Sequence, residues 1–271
     1  MFVLSGFADE ICDDFREQMR VWKSMGLKYF ELRSAWGVNI IQLTDNQLEE
    51  IKRIIDSIDI SVACIGSPIG KSNIEDDFSF ERVRLERAIW IARYFGCNYI
   101  RIFSFYSCEG NILQKKDEVI ARLRKMEEIA VANDIVLLHE NESHIYGEHS
   151  TQCVEIARAL ASRNFGLVFD PANYSVAGEN VLEAERIMHD YISYLHIKDY
   201  SLSSKGMACP GNGDSHIKDV VERLRERDLM VALEPHLEFA GKFGGFTGEK
   251  KFIEAVAAFK DIIDKVGIQW A

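Results

Sequence analysis

The sequence predicts an α/β fold, a single (β/α)8 barrel built on a closed parallel sheet. Short apolar segments alternate with longer helical segments from one end of the chain to the other. Such alternation favours a parallel sheet, and eight strand–helix units favour a barrel. The 271 residues fit one barrel domain, and only four prolines occur, with no glycine- or serine-rich linker. We therefore expect residues 1–271 to form a single domain.

The first four units are apolar segments bounded by helix signals. Thr44 and Gln47 form a capping box, and Gly26 and Gly96 follow helical segments as C-terminal caps. The predicted strands are 2–8, 29–33, 61–66 and 98–105. Each is followed by a helix, predicted at 14–25, 44–58, 78–95 and 116–133.

The last four units continue the same alternation, and each of their strands ends in a polar residue. The predicted strands are 135–140, 165–170, 191–198 and 230–234. The predicted helices that follow them are 151–160, 181–189, 217–227 and 250–265. The chain thus supplies eight strands and eight helices for the barrel.

Composition and charge argue against some classes of partner and favour one location. The net charge of −11 argues against a broad nucleic-acid interface, and no apolar run is long enough to cross a membrane. Six cysteines occur without a C-x-x-C pair, which is typical of free thiols in a reducing compartment. The N-terminal segment has no basic region and no long apolar run, so we expect no secretory signal and a cytoplasmic location. The sequence is compatible with a homo-oligomer.

Four side chains that can bind a metal ion end the last four strands. They are Glu140, Asp170, His196 and Glu234, and they are separated by about one strand-plus-helix unit each. The carboxyl ends of all strands meet at one rim of a barrel, so these four residues are predicted to surround one point. Three carboxylates and one imidazole suit Mn²⁺, Mg²⁺, Co²⁺ or Zn²⁺.

Further charged residues lie inside predicted strands or in the loops that follow them. Strand alternation places Glu31, Arg33, Arg101 and Lys198 on the interior face, where charges require partners or a ligand. Arg33, Lys71, Arg101 and Lys198 are predicted to surround an anionic or highly hydroxylated group of a substrate, and Glu31 is predicted to contact the substrate as well. By the same alternation, His139 points outward and is expected to be a structural, hydrogen-bonded residue. Asp9 or Glu10 could contact substrate hydroxyls, but we expect these acids to cap the following helix.

With these four ligands in order, the chain resembles the xylose isomerase-like TIM barrels. The nearest group is the sugar phosphate isomerase/epimerase family, which includes ketose 3-epimerases, hydroxypyruvate isomerase and inosose dehydratase. The resemblance covers essentially the whole chain. It is carried by the strings His-Glu-Asn-Glu (139–142), Phe-Asp-Pro-Ala-Asn (169–173), His-Ile-Lys-Asp (196–199) and Leu-Glu-Pro-His (233–236).

The resemblance implies a metal-dependent isomerase or epimerase. The substrate would be a small sugar, a sugar phosphate or a related polyhydroxy carbonyl compound, with Mn²⁺ as the first choice of metal. Glu140 and Glu234 would flank the substrate carbon and act as acid and base. A bound metal that polarises a carbonyl group acidifies the neighbouring C–H and stabilises the enediolate that forms.

The sequence departs from the free-ketose epimerases of this family at two positions. Many of them carry a histidine three residues after the metal-binding aspartate, where this chain has Asn173. Asn173 can hydrogen-bond a substrate but cannot carry a proton. Position 202 is Leu, where those enzymes have an arginine. Both differences leave the reaction open.

Three other functions remain as alternatives. The same site would support dehydration of the inosose dehydratase type, because that reaction shares the first proton abstraction. DNA repair of the apurinic endonuclease type needs a multi-zinc cluster with more histidines at the rim than His196. A non-catalytic, metal-dependent carbohydrate-binding protein would have no use for two carboxylates flanking a carbonyl group.

Overall fold

The computed structural model describes residues 1–160, 162–241 and 244–271. Eight parallel strands, β1 to β8, form one sheet. Their bounds are Phe2–Gly6, Tyr29–Leu32, Ser61–Ile65, Tyr99–Ile102, Val136–Glu140, Phe165–Phe169, Ile192–Ile197 and Leu229–Leu233. The protein is therefore an α/β barrel of the TIM type, as the sequence predicts.

The sheet closes on itself. Its strand order is β1, β8, β7, β6, β5, β4, β3, β2. A parallel bridge between Phe7 and Glu31, just beyond β1 and within β2, joins the first strand of this order to the last. Closure brings the carboxyl ends of all eight strands to one rim.

Helices α1 to α9 connect and cover the strands. They are Phe15–Ser24, Asp45–Asp56, Phe78–Phe95, Lys116–Val131, Ser150–Leu160, Pro171–Val176, Val181–Met188, Ile217–Arg223 and Glu249–Lys265. In the described part of the chain, no helix is both long and apolar enough to cross a membrane.

The predicted helix signals occur where the sequence places them. Thr44 and Gln47 form both hydrogen bonds of a capping box at the start of α2. Gly96 ends α3 in the left-handed conformation, with φ of 70°, which only glycine adopts without strain. The short helix α6 was not predicted, because its six residues are too few to show a helical period.

Three two-stranded hairpins extend from the rim and were also not predicted. They follow β2, β7 and β8 and are formed by Ser34–Ala35 with Val38–Asn39, Asp199–Ser201 with Gly206–Ala208, and Glu238–Gly241 with Gly244–Phe246. Strands of two to four residues are too short to show alternation in a sequence.

A small apolar layer fills the interior of the barrel beneath the rim. It consists of Phe7, Cys64, Leu138, Val168, Tyr194 and Ala232, all of them buried. Side chains two residues apart on a strand share a face. The next inward residue along four of these strands is therefore a polar one, and the apolar layer forms the floor of the candidate site.

Candidate metal centre

Four side chains with metal-binding atoms meet inside the rim. Their ligand atoms all lie within 4.8 Å of one another, and the four residues are buried: Glu140, Asp170, His196 and Glu234. One ion with donor distances of about 2.0–2.2 Å fits a cluster of this size. The structure thus brings together the four residues that the sequence predicts to surround one point.

Asp170 is oriented by the helix that follows it. It lies directly after β6 and is the N-cap of α6, where its Oδ1 accepts a hydrogen bond of 3.1 Å from the backbone N–H of Asn173. Pro171 fits the first helical position because that position needs no N–H donor. With Oδ1 held by the helix, Oδ2 is left to face the cluster, 2.8 Å from Lys198 Nζ.

His196 lies at the centre of the cluster, with its two ring nitrogens facing different groups. Its Nδ1 is 3.0 Å from Glu140 Oε1 and 3.4 Å from Glu234 Oε2. Its Nε2 is 3.4 Å from Glu31 Oε1, on the side away from these two carboxylates. The rings of Phe7 and Tyr194 pack nearly perpendicular to the imidazole, at interplanar angles of 89° and 84° and centroid separations of 5.3 and 5.8 Å.

Two guanidinium groups each fix one oxygen of a ligand carboxylate. Arg33 donates to Glu234 Oε1 at 2.8 Å and also binds Asp9 through two hydrogen bonds. Arg101 donates to Glu140 Oε2 at 3.1 Å. As a result, one oxygen of each glutamate is held by an arginine while the other, Oε2 of Glu234 and Oε1 of Glu140, faces His196.

The buried charges shift the pKa values of the cluster in different directions. Burial opposes the ionised form of Glu140, but His196 and Arg101 outweigh it and hold the pKa of Glu140 well below its usual range. For Asp170 burial prevails over the attraction of Lys198 and raises the pKa to about 6. Burial also opposes the charge of His196, yet Glu140 and Glu31 hold its pKa well above the usual value.

Lys71 and Asn173, both predicted to bind substrate, do not contact the ligand atoms with their side chains. Lys71 Nζ lies 2.8 Å from Glu142 Oε2 and 4.3 Å from the ring centroid of Phe103. The amide of Asn173 donates to the backbone oxygen of Asn141 at 2.8 Å. Glu31, Arg33, Arg101 and Lys198 do contact the cluster, as their strand positions predict.

The prediction that Asp9 and Glu10 cap the following helix is wrong. Asp14 is the N-cap of α1. Asp9 instead accepts hydrogen bonds from Arg33 and from Ser34 Oγ, the latter at 2.7 Å. Glu10 lies fully buried and accepts hydrogen bonds of 2.5 Å from Thr247 Oγ1 and 2.9 Å from the backbone N–H of His236. Both acids belong to the site because β1 ends beside β2 and β8 in the closed sheet.

His236 is a site residue that the sequence reading missed. Its Nε2 lies 3.2 Å from Glu234 Oε1 and 3.4 Å from Glu10 Oε1. Its backbone has a φ of 52°, an uncommon conformation for a side-chain-bearing residue. A signal was available in the sequence, because His236 stands only two residues after Glu234 in Leu-Glu-Pro-His.

Within the described residues, carboxyl groups outnumber permanent cations at this rim. The buried carboxyl groups are those of Asp9, Glu10, Glu31, Glu140, Asp170 and Glu234, whereas the cations are Arg33, Arg101 and Lys198. Buried charges are stable only when they are compensated. The excess of oxygen donors is suited to an additional cation.

The family model described as "Xylose isomerase-like TIM barrel" matches residues 19–262. No curated protein matches the sequence. The family match spans most of the chain, including all four residues of the cluster.

Solved structures with the same fold include proteins of different activities. A D-tagatose 3-epimerase-like protein has a TM-score of 0.78 at 15% identity, over 97% of this chain and 98% of that chain. The probable 3-DHS dehydratase AsbF from Bacillus anthracis has a TM-score of 0.74 at 14% identity, over 96% and 99%. The IOLI protein, whose structure holds a zinc atom, has a TM-score of 0.74 at 16% identity, over 97% of each chain. At these identities the likeness is one of fold.

Proposed function

Since the chain belongs to the xylose isomerase-like TIM barrel family, we propose that it is a divalent-metal-dependent isomerase or epimerase of a small polyhydroxylated carbonyl compound. One observation carries this proposal. Glu140 and Glu234 flank His196 Nδ1 at 3.0 and 3.4 Å within a buried cluster of metal-binding atoms. Such an arrangement offers two proton-transfer groups around one ion site.

The residues present fit a divalent ion, with Mn²⁺ as our first choice. Asp170 Oδ2 and Glu234 Oε2 are buried and have ion contacts with Lys198, but within the described residues they accept no hydrogen bond of good geometry. Glu140 and His196 complete the donor set, which is hard and rich in oxygen. When bound, the ion would act as a Lewis acid that polarises a carbonyl group and acidifies the neighbouring C–H.

The two glutamates are the groups that would move the proton. Arg33 and Arg101 each hold one carboxylate oxygen, so that each glutamate keeps a fixed orientation toward the centre of the cluster. One carboxylate removes the proton from the carbon next to the carbonyl, and the other returns one. Return to the opposite face of the same carbon gives an epimer, and return to the adjacent carbon gives an isomer. Loss of a β-hydroxyl as water, instead of return, gives the dehydration product.

The ion pairs of the site favour an uncharged substrate. Arg33, Arg101 and Lys198 are each within 3.1 Å of a carboxylate oxygen of the site. An anionic group would have to compete with those carboxylates for the same cations. Lys71, with 35% of its side chain exposed, is the cation that an anionic substrate would reach most readily, and it already pairs with Glu142.

Proton exchange with solvent tests this function. The Mn²⁺-loaded protein is incubated in D₂O with free ketoses, sugar phosphates and inososes, and proton NMR follows the C–H next to the carbonyl. We expect exchange and a rearranged product with at least one uncharged compound. Glu140→Gln and Glu234→Gln should lose the exchange at equal metal content, whereas Glu254→Gln, at an exposed position of α9, should keep it.

The same experiment separates the alternatives. Elimination of water from an inosose would identify the protein as a dehydratase. Binding of a carbohydrate without any C–H exchange would contradict the enzymatic proposal and identify a binding protein. The absence of bound Mn²⁺ in the folded protein would contradict the metal site.

A further inference from the structure

Two buried polar groups face each other beneath the candidate metal centre. Glu31 is 1% exposed, and neither of its carboxylate oxygens has a hydrogen-bond partner within the described residues. The same holds for His196 Nε2, which lies 3.4 Å from Glu31 Oε1. A carboxylate buried without partners is costly, so its place in the barrel interior requires an explanation.

Among the described residues, His196 is the basic side chain that lies within 4.0 Å of the Glu31 carboxylate. Glu31 is on the interior face of β2, where Cys64 and Tyr194 of the apolar layer are close enough for its charge to affect them. Burial, followed by the charge of Glu31, holds the pKa values of the Tyr194 phenol and of the Cys64 thiol well above their usual ranges. The Tyr194 hydroxyl is close enough to act as a donor to Glu31, but neither a phenol nor a thiol supplies a positive charge.

The position of Glu31 determines which nitrogen of His196 is available to an ion. An imidazole that binds a metal ion is neutral and carries one N–H and one lone pair, and the partner of the N–H decides which nitrogen is the ligand. His196 Nε2 faces Glu31, and Nδ1 faces Glu140 and Glu234. A hydrogen bond from Nε2–H to Glu31 therefore directs the lone pair of Nδ1 toward the carboxylates of Glu140 and Glu234.

We propose that Glu31 is a positioning residue whose carboxylate accepts the Nε2–H of His196 and presents Nδ1 to the divalent ion. This inference rests on the metal site of the proposed function and gives Glu31 a role other than the substrate contact that the sequence predicts. Carboxylate partners of ligating histidines fix the tautomer and the ring orientation, and their loss typically weakens metal binding by about 10–100-fold.

Metal affinity tests this role independently of catalysis. Binding of Mn²⁺ to the wild-type protein, Glu31→Gln and Glu31→Ala is measured from the EPR signal of free Mn²⁺. We expect Kd to rise by about 10-fold for Glu31→Gln, whose amide oxygen still accepts a hydrogen bond, and by up to about 100-fold for Glu31→Ala. Glu127→Gln is the matched control, because Glu127 is a buried carboxylate of α4 whose Oε1 has no hydrogen-bond partner in the part of the chain that the structure describes, and the Kd of this variant for Mn²⁺ should not change.

A second measurement needs no substitution in the site. In the Zn²⁺-loaded wild-type protein labelled with ¹⁵N-histidine, long-range ¹H–¹⁵N spectra should show His196 with its proton on Nε2. A His196 bound to zinc through Nε2 would overturn the proposal, as would Glu31 variants that are folded and bind Mn²⁺ like the wild type. If Glu31→Gln instead raised KM with unchanged Mn²⁺ affinity, Glu31 would be a substrate contact. Failure of the wild type to bind any divalent ion would remove the proposed metal site itself, a result distinct from the other three.

Discussion

Two histidines of the barrel are equally buried, but they lie on opposite faces of the sheet and their pKa values shift in opposite directions. His139 of β5 faces the layer outside the barrel, where burial lowers its pKa to about 4. His196 of β7 faces the interior, where Glu140 and Glu31 outweigh burial and hold its pKa well above the usual value. Burial alone therefore does not decide the charge of a histidine in this protein; its neighbours do.

The comparison shows how the two sides of the sheet differ. Outside the sheet, His139 packs tightly against Gly147. A Cβ atom added at position 147 would lie only 2.3 Å from the imidazole ring of His139. Inside the sheet, carboxylates surround His196 on both of its nitrogen-bearing sides. The surroundings of His196 therefore favour a positive charge, whereas those of His139 oppose it.

The largest expected effect is on catalysis at the interior. Glu234→Gln keeps the size of the side chain but removes the proton acceptor, so the exchange rate of the metal-loaded variant should fall by about 10²–10⁴-fold. Metal content is measured beside the rate, because Glu234 is also a proposed ligand. A loaded variant with a near-normal exchange rate would show that Glu234 is a ligand only.

The next largest effect is expected at Lys198, whose ammonium group lies between the carboxylates of Asp170 and Glu234. Burial opposes its charge, but Asp170 and Glu234 hold its pKa well above the usual range, so the ammonium group stays charged. Lys198→Met should destabilise the metal-free protein by about 3–5 kcal/mol, because it leaves buried carboxylates without a partner. Mn²⁺ should then raise the thermal midpoint more in this variant than in the wild type.

Thermal unfolding with and without Mn²⁺ measures this effect. The control is Lys260→Met, because the Lys260 ammonium lies 4.4 Å from the ring centroid of Trp270 and donates to the backbone oxygen of Met25, and neither residue belongs to the ligand cluster. Equal stabilisation by Mn²⁺ in Lys198→Met and the wild type would contradict the view that lysine and metal share the same carboxylates.

On the outer face, His139 should make stability depend on pH. Its pKa is about 4 in the folded protein and about 6.5 when unfolded, so the unfolded chain binds the proton first as pH falls. The contribution of His139 to the free energy of unfolding should be constant above about pH 6.5 and should decrease by about 3 kcal/mol as the pH falls to 4. His139→Leu should remove this part of the pH dependence.

Urea unfolding at pH 7.5 and at pH 4.5 checks the prediction for His139. The carboxylates of the protein titrate in both proteins, so the difference between the wild type and the variant isolates the histidine. An identical loss of stability on acidification in the two proteins would show that His139 does not carry this dependence.

Much of the site could be predicted from the sequence, because it follows from two short-range rules. Strand alternation fixes which residues face inward, and a parallel barrel brings the strand ends to one rim. These rules place Glu140, His196 and Lys198 correctly and place His139 outside. The expectation that His139 is hydrogen-bonded is wrong, since neither ring nitrogen pairs with another described residue.

The rest depends on contacts between distant parts of the chain. Glu10 is held by Thr247, and Asp9 is held by Arg33, so their roles appear only when the sheet closes. From sequence alone, an acidic pair before a helix is most simply read as a cap. The tautomer of His196 is also invisible in a sequence, because it depends on which group lies beside each nitrogen.

The smallest expected effect concerns the edge of the interior region, where Lys71 is partly exposed. If the substrate is uncharged, Lys71→Ala should raise KM by less than about 3-fold and leave kcat nearly unchanged, since a lost uniform contact affects binding only. With a phosphorylated analogue, the same variant should show a rise in KM of about 10-fold if Lys71 exchanges Glu142 for the phosphate.

Steady-state kinetics with the matched pair of substrates measures both values, and Glu142→Gln is the control because it frees Lys71 from its partner. The proposal of an uncharged substrate would be contradicted if the wild-type protein preferred the phosphorylated compound and Lys71→Ala lost most of the activity on it. Lys71, outside the paired cluster, would then supply the positive charge that the substrate needs.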